Sequence, residues 1–177
     1  MSNIAGKFEK VSYEAFEECA RIQGLTKDNA MYHSLDLLRK GYDDIKLPRR
    51  ATVGSAGYDF FAPYEIDLKP GESWIIPTCI RCKMNPGWVL KIYPRSGLGF
   101  KYKLQLMNTV GIIDEDYYNS DNEGHIMIKI YNDSPDGQEI IIPRGEAFAQ
   151  GIFLQYGITE NDTANGIRNG GFGSTSK

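Results

Sequence analysis

The chain has 177 residues, 41% of them hydrophobic and 12% aromatic, which is enough to bury the core of one domain and excludes global disorder. The formal net charge is −3, and no run of Lys or Arg is longer than Arg49-Arg50, so no footprint for duplex nucleic acid is visible. Three cysteines, an N-terminus without an apolar run and no stretch of about 20 apolar residues predict a cytoplasmic protein without disulfides or a membrane span.

Residues 1–46 carry one strand-like and two helical patterns. Lys7 to Ser12 predicts a short strand, and Ser12 is the expected N-cap of a helix with apolar residues at Tyr13, Phe16 and Ala20. A second helix is expected to end at Gly41 as its C-cap. Its apolar face holds Met31, Leu35 and Leu38. We expect both helices to pack on the main domain.

From residue 47 to residue 157 the apolar period changes to two. Short apolar runs are separated by turn pairs such as Pro70-Gly71 and Pro86-Gly87. Ile126, Ile128 and Ile130 alternate with less apolar residues, as in a strand with one face in a core. Without helical patterns between the strands, this region is typical of an all-β sandwich or jelly roll.

Two cysteines in this region are spaced as C-x-x-C. Cys79 and Cys82 lie in a strand-like run, where this spacing would turn their side chains to opposite faces. The sequence offers no second pair to complete four metal ligands. We therefore predict that both cysteines are packing residues.

Residues 158–177 are polar and rich in glycine, which predicts a flexible tail. One large apolar residue, Phe172, is flanked by glycines and followed by two hydroxyl side chains, with Arg168 four positions earlier. An aromatic ring can stack on a base while exposed N–H groups bind phosphates. The tail is therefore a candidate ligand-binding arm.

Five short motifs occur in a fixed order along the chain. They are AGYDF (Ala56–Phe60), PRSGLGF (Pro94–Phe100), NTVGIIDEDY (Asn108–Tyr117), RGEAFAQ (Arg144–Gln150) and RNGGFGST (Arg168–Thr175). As an ordered set they resemble the trimeric dUTPase family, the dUTP nucleotidohydrolases. The resemblance covers roughly Leu47 to the end of the chain.

This resemblance implies a jelly-roll-like β fold and hydrolysis of dUTP to dUMP and pyrophosphate, which limits uracil in DNA and supplies dUMP for thymidylate synthesis. It also implies a homotrimer with shared active sites. In the third motif, Asp114 corresponds to the catalytic base that takes a proton from water. Tyr117 corresponds to the tyrosine beneath the deoxyribose, and Asn108 corresponds to the residue that reads uracil together with a β-hairpin backbone. Gly111 and Ile113 belong to that hairpin.

The other motifs correspond to the triphosphate site of the family. Arg95, Ser96 and Gly97 would grip the phosphates, and Gln150 matches the glutamine of the fourth motif. Asp59 matches an aspartate that acts through water on Mg²⁺, which is carried by the triphosphate. The tail residues expected to close over the substrate are Arg168, Phe172, Gly173, Ser174 and Thr175.

Two departures from the family pattern stand out. Ala147 occupies a position where many members have Arg, so an ion pair of the common form is missing. Several polar residues, Tyr118 to Glu123, are inserted after Tyr117, as in a lineage of some bacteria and bacteriophages. The acidic residues of this insertion do not follow the EF-hand pattern, so we predict a solvated loop.

The sequence leaves two other functions open. A dCTP deaminase of the same fold is the nearest enzymatic alternative, but Lys129 stands at the position of the deaminase glutamate and the deaminases lack a comparable tail. A nucleotide-responsive module that binds a protein partner is the other, with residues 7–46 or the loop Tyr118–Glu123 as the docking surface. A turnover measurement would separate such a module from an enzyme.

Overall fold

A computed structural model describes residues 4–25, 31–32 and 34–170. Within these ranges the chain forms twelve β-strands, three α-helices and one 3₁₀ helix. The strands are β1 (Gly6–Lys10), β2 (Arg49–Arg50), β3 (Tyr58–Phe61), β4 (Ile66–Leu68), β5 (Ser73–Pro77), β6 (Ile80–Met84), β7 (Trp88–Pro94), β8 (Leu104–Leu106), β9 (Gly111–Ile113), β10 (Met127–Asn132), β11 (Ile140–Ile142) and β12 (Ala147–Gln155). The helices are α1 (Tyr13–Ile22), α2 (Leu35–Asp43), α3 (Ser96–Tyr102) and the 3₁₀ helix Glu115–Asn119.

The strands form several small antiparallel sheets. The largest has the order β2-β3-β12-β7-β9, and a second has the order β5-β10-β8. Two pairs, β1-β6 and β11-β4, complete the described sheets. Sequence neighbours such as β8 and β9 belong to different sheets, as expected when two layers pack face to face over one core. The predicted all-β, jelly-roll-like body is confirmed.

The alternating pattern in β10 is confirmed. Ile128 and Ile130 are buried while Lys129 between them is exposed. Ile130 pairs with both Trp74 of β5 and Leu106 of β8, so β10 is the central strand of its sheet. The buried face of this strand therefore contributes to the core.

The first helix follows the sequence prediction closely. The Ser12 hydroxyl accepts a hydrogen bond from the Ala15 N–H at 3.1 Å, which caps α1, and Phe16 and Ala20 are its buried residues. Strand β1 pairs with β6, with Phe8 opposite Cys82. The N-terminal residues thus share the core of the main body.

The predicted end of the second helix is wrong. Helix α2 continues through Gly41 to Asp43, and Asp44 is its C-cap. A Cβ at Gly41 would lie 2.4 Å from the ring of Tyr32. This glycine therefore serves close packing of an aromatic ring, a requirement that resembles a C-cap in the sequence.

The cysteines pack as predicted, but by a different geometry. Cys79 precedes β6 and has a φ of 61°, so it is not part of a regular strand. Both Cys79 and Cys82 are buried in the hydrophobic core. The described residues contain no group of three or more His, Cys, Asp or Glu that could hold a metal ion.

Helix α3 was not predicted. Its Leu98 and Tyr102, four residues apart, are half-buried against the core. Gly97 and Gly99 lower the helical propensity of this segment, which hid the pattern. None of the helices formed by the described residues is long and apolar enough to cross a membrane.

Candidate active site

A cleft of about 250 Å³ lies between β9, β10 and the turn before β9. Its walls include five residues that the sequence motifs assign to the site: Asn108, Gly111, Ile113, Tyr117 and Arg168. Backbone and side-chain polar groups thus converge on a mainly apolar pocket, which is the usual character of a small-molecule site.

The turn that carries Asn108 differs from the predicted β-hairpin. Strand β8 before it pairs with β10, whereas β9 after it pairs with β7, so the turn joins two sheets. Thr109 has a φ of 62°, and its N–H donates to the Leu106 carbonyl at 3.0 Å. A Cβ at Gly111 would lie 3.0 Å from Ile92 Cβ, so glycine allows β9 to approach β7 closely.

Asp114 lies at the rim of this cleft, between β9 and the 3₁₀ helix. Its side chain makes no capping hydrogen bond to the 3₁₀ helix and is 46% exposed. The ordinary role of an Asp at a strand end is a hydrogen bond to its own backbone. Asp114 instead presents its carboxylate to an arginine.

That arginine is Arg168 of the C-terminal segment. Its Nη2 donates to Asp114 Oδ2, and its Nε donates to Asp116 Oδ1 at 2.8 Å. The guanidinium carbon lies 5.9 Å from the centre of the Tyr117 ring. The family resemblance predicts Arg168 on substrate phosphates, whereas here two carboxylates of its own chain hold it. Phe172, Gly173, Ser174 and Thr175 lie outside the described residues.

Tyr117 is buried, and its hydroxyl has two partners. It donates to the His125 carbonyl at 2.9 Å and accepts from Asn122 Nδ2 at 2.8 Å. The ring faces the cleft while the hydroxyl points away into the following loop. The ring is therefore the part of Tyr117 that a ligand would contact.

The loop after Tyr117 is packed, so the prediction of a solvated loop is wrong. Ser120 and His125 are buried, and Arg81 lies 3.7 Å from the ring centre of Tyr118. Both oxygens of Glu123 accept hydrogen bonds from Ser12, from its N–H at 2.8 Å and its hydroxyl at 2.6 Å. The Ser12 hydroxyl and N–H hold the pKa of Glu123 below its ordinary value. Composition alone could not reveal a contact across 111 positions.

His125 lies at the end of this loop, and its imidazole is neutral. Its Nε2 accepts the Cys79 N–H at 2.9 Å, so Nδ1 carries the proton and faces Cys19 Sγ at 3.7 Å. Burial lowers the pKa of His125 to about 4. The imidazole therefore acts as a fixed hydrogen-bonding group at neutral pH.

The remaining predicted residues form a second cluster. Asp59 Oδ1 lies 3.3 Å from Arg95 Nε, and Gln150 Nε2 donates to the Pro94 carbonyl at 3.0 Å. Gln150 is paired with Asp59 across β12 and β3. A Cβ at Gly57 would lie 2.6 Å from Gln150 Oε1, which gives this glycine of the first motif a role that its sequence context does not reveal.

Ser96 and Gly97 follow Arg95 at the start of α3 and are exposed. The first N–H groups of a helix have no intrahelical acceptor and point outward with a partial positive charge. Arg95 adds a full charge beside them. The second cluster can therefore bind an anion such as phosphate.

Within one chain, the cleft beside Asp114 and the second cluster around Arg95 lie apart. Ile113 pairs with Leu90, and Pro94 ends the same strand four residues later, so these two positions are about 13 Å apart along β7. Asp114 and Arg95 follow them in opposite directions. Asp114 and Arg95 of one chain are therefore too far apart to contact the same atom of a ligand.

Lys129 bears on the deaminase alternative. This residue, which stands where the deaminases have their glutamate, is one of the residues that line the cleft. A deaminase of that kind requires a carboxylate at this place. The geometry therefore favours the hydrolase.

Known proteins match this chain over most of its length. The model of the family described as dUTPase matches residues 43–176. A deoxyuridine 5'-triphosphate nucleotidohydrolase of Lactococcus lactis is 42% identical over 134 residues, which are 74% of this chain and 88% of that protein. Among solved structures, the dUTPase from Streptococcus mutans has a TM-score of 0.59 and 35% identity, covering 65% of this chain and 89% of that one.

A phage structure adds support for the fold. A mutant dUTPase from phage phi11 of S. aureus, described with a structural Mg(II) ion, has a TM-score of 0.56 and 23% identity, and covers 68% of this chain and 90% of that one. The range matched by the family model contains all five motifs. On these grounds the chain belongs to the dUTPase family.

Proposed function

We propose that this protein hydrolyses dUTP to dUMP and pyrophosphate, with Asp114 as the general base. The observation that carries the proposal is the cleft lined by Tyr117 and Arg168, with the Asp114 carboxylate free of helix capping and paired to that arginine. A base within hydrogen-bond reach of a water can take its proton as the water attacks the α-phosphorus. Because water is the nucleophile, the chain itself does not need to supply one.

The cleft would select uracil and deoxyribose. Backbone groups near Gly111 and the amide of Asn108 would pair with uracil, and cytosine would leave a buried amino group badly paired, at a cost of about 1 to 3 kcal/mol. The buried ring of Tyr117 would leave no room for a 2′-hydroxyl. The substrate is therefore expected to be a deoxyuridine nucleotide.

The second cluster would hold the triphosphate. Arg95, the N–H groups of Ser96 and Gly97, and Gln150 would bind phosphate oxygens. Asp59 is a single carboxylate already beside Arg95, so it fits a Mg²⁺ ion that keeps its waters and is carried by the phosphates. When bound, the ion would neutralise charge on the phosphate oxygens.

We further propose that a homotrimer assembles each site from three chains. The separation of Asp114 from Arg95 along β7 supports a site that a second chain completes. Residues 158–170 are mostly exposed, and their arginine is held by carboxylates that are themselves about half exposed. Because both carboxylates are open to solvent, substrate phosphates can compete with them for the guanidinium of Arg168, and the arm can be transferred to a neighbouring site.

This assembly assigns a role to each part of the chain. Residues 47–157 form the catalytic β domain, and the described part of residues 1–46 packs on it. Residues 158–177 act as a closing arm. In the closed arm, Phe172 would stack over the uracil, and Arg168, Gly173, Ser174 and Thr175 would contact the phosphates.

Pyrophosphate release across a panel of nucleotides tests the proposal. With Mg²⁺ present, dUTP should be hydrolysed, UTP refused because of Tyr117, and dTTP refused because of its methyl group. Ammonia should not appear with dCTP. Rapid turnover of UTP, or ammonia from dCTP, would contradict the proposed function.

A further inference from the structure

The stretch Tyr118–His125, called here the platform loop, carries the groups that hold Tyr117. Asn122 donates to the Tyr117 hydroxyl, and the His125 carbonyl accepts from it. Both partners flank Glu123 closely in sequence. Any displacement of Glu123 would therefore be passed to the hydroxyl of Tyr117.

The platform loop is in a conformation that needs support. Glu123 has a φ of 60° and Gly124 has a φ of 70°. An L side chain rarely adopts this region, and Glu gains no local hydrogen bond there as Asn or Asp would. A Cβ at Gly124 would lie 2.6 Å from Tyr118 Cα, so the loop is also tightly folded. Contacts from outside the loop must hold this geometry.

The support comes from residues 4–25, called here the N-terminal segment. Ser12 donates two hydrogen bonds to Glu123, and the Tyr118 hydroxyl donates to Glu9 at 2.5 Å. Arg81 of the main body adds a charge 3.8 Å from Glu123. The family model begins at residue 43, so Ser12 and Glu9 lie outside the part of the chain that it matches.

We propose that Ser12 and Glu123 are positioning residues for sugar discrimination: their contact fixes the platform loop so that the Tyr117 ring excludes a 2′-hydroxyl. The inference rests on the proposed role of Tyr117 in a dUTP-hydrolysing site. When the contact is lost, the loop relaxes from the left-handed conformation and the ring withdraws. UTP then enters the cleft.

The test compares kcat/KM for dUTP and UTP in matched variants. Ser12→Ala removes the hydroxyl hydrogen bond to Oε1 of Glu123 and leaves the backbone N–H bond to Oε2, whereas Glu123→Ala removes both. The double variant also lacks both bonds. Ser34→Ala is the control, because Ser34 caps α2 as Ser12 caps α1 but makes no contact with the platform loop among the described residues. Glu123→Gln is a milder variant that keeps a neutral acceptor. Melting temperature is recorded for each.

The ratio of kcat/KM for dUTP to that for UTP should fall about tenfold in Glu123→Ala, the order expected for one poorly excluded group. It should fall less in Ser12→Ala, which keeps the backbone hydrogen bond to Glu123. The ratio in the double variant should fall no further than in Glu123→Ala, because that change already removes both hydrogen bonds from Ser12. Ser34→Ala should keep the wild-type ratio. The ratio for Glu123→Gln should lie between those of wild type and Glu123→Ala.

A ratio within twofold of wild type in Ser12→Ala, Glu123→Ala and Glu123→Gln overturns the inference, whatever happens to the melting temperature. Additive losses in the double variant overturn it as well. Should Glu123→Ala fail to fold, Ser12→Ala and Glu123→Gln decide. A wild-type protein that hydrolyses UTP as well as dUTP would instead reject the proposed function itself.

Discussion

The N-terminal and C-terminal segments both contact the stretch from Asp114 to His125, but by different means. The N-terminal segment reaches it with hydrogen bonds from Ser12 while burying Val11, Phe16 and Ala20 in the common core. The C-terminal segment reaches it with Arg168, while its Ile158 and Ile167 stay exposed. One segment is part of the fold, and the other is held by charges at the surface.

This difference gives the two segments different roles: the N-terminal segment holds the site in place, and the C-terminal segment can close over it. Buried apolar contacts cost several kcal/mol to break, so the N-terminal segment stays in place through a catalytic cycle. The two carboxylates that hold Arg168 are about half exposed, so substrate phosphates can compete with them for its guanidinium. The site can then keep a rigid floor and still open to release product.

The largest effect is expected for Asp114, the first residue of the stretch that both segments contact. Asp114→Asn keeps the shape of the side chain but cannot accept a proton, so kcat should fall by about 10² to 10⁴. Nucleotide binding measured by calorimetry should be largely retained. Activity within a few-fold of wild type would mean that Asp114 is a turn residue only.

The claim that the N-terminal segment is part of the core predicts a large loss of stability for Phe16→Ala. Phe16 is 3% exposed and packs against the rings of Tyr13, Tyr32 and Tyr42, so its truncation should lower the free energy of unfolding by about 3 to 5 kcal/mol. Urea unfolding at one fixed protein concentration measures it.

Phe100→Ala is the matched control for that experiment. Phe100 is 93% exposed, so the same substitution should change the free energy of unfolding by about 0.5 kcal/mol or less. Equal losses at the two positions would remove the basis for treating the N-terminal segment as core.

His125 should make this region sensitive to acid. Its folded-state pKa of about 4 lies below the ordinary value of 6.5, so the unfolded chain binds the proton more readily. Stability is full above pH 6.5 and declines as the pH falls toward 4. Between pH 7 and pH 5 the loss should be about 2 kcal/mol.

Urea midpoints at pH 7 and pH 5 measure this loss in wild type and in His125→Gln. The glutamine amide can still accept the Cys79 N–H but does not titrate, so the variant should show a flatter pH dependence in this range. An unchanged slope in the variant would assign the acid sensitivity to other groups.

The smallest effect is expected for Asp116→Asn. Asp116 is 53% exposed and shares Arg168 with Asp114, so losing its charge should change stability by less than about 1 kcal/mol. The KM for dUTP should change only a few-fold. A loss of kcat comparable to that of Asp114→Asn would show that the two carboxylates act as a unit.

Local patterns in the sequence predicted much of this molecule. Strand alternation at Ile128 and Ile130 and the Ser12 cap depend on neighbouring residues, and both were confirmed. The end of α2 was misjudged because a glycine can end a helix or, as Gly41 does, make room for an aromatic ring. Helix α3 was missed because Gly97 and Gly99 lower its helical propensity. Local pattern does not distinguish these roles.

The candidate site also has parts that the sequence motifs predicted and parts that they did not. The ordered motifs predict one site that includes Asn108, Gly111, Ile113, Tyr117 and Arg168, and all five residues line the same cleft. The support from Ser12 to Glu123, and the pairing of Arg168 with Asp116, join residues far apart in sequence through packing that no short motif encodes. Contacts of this kind depend on the fold.

The assembly of one site from several chains is tested most directly with two inactive proteins. One carries Asp114→Asn, and the other lacks Arg168–Lys177, which should abolish turnover but leave the melting temperature nearly unchanged. Unfolded together and refolded at equal amounts, they should form mixed trimers in about three quarters of cases, each with one complete site of three. About a quarter of wild-type activity should then return. Recovery near zero in a preparation shown to contain mixed trimers would mean that Arg168 serves the Asp114 of its own chain, which would contradict the three-chain site.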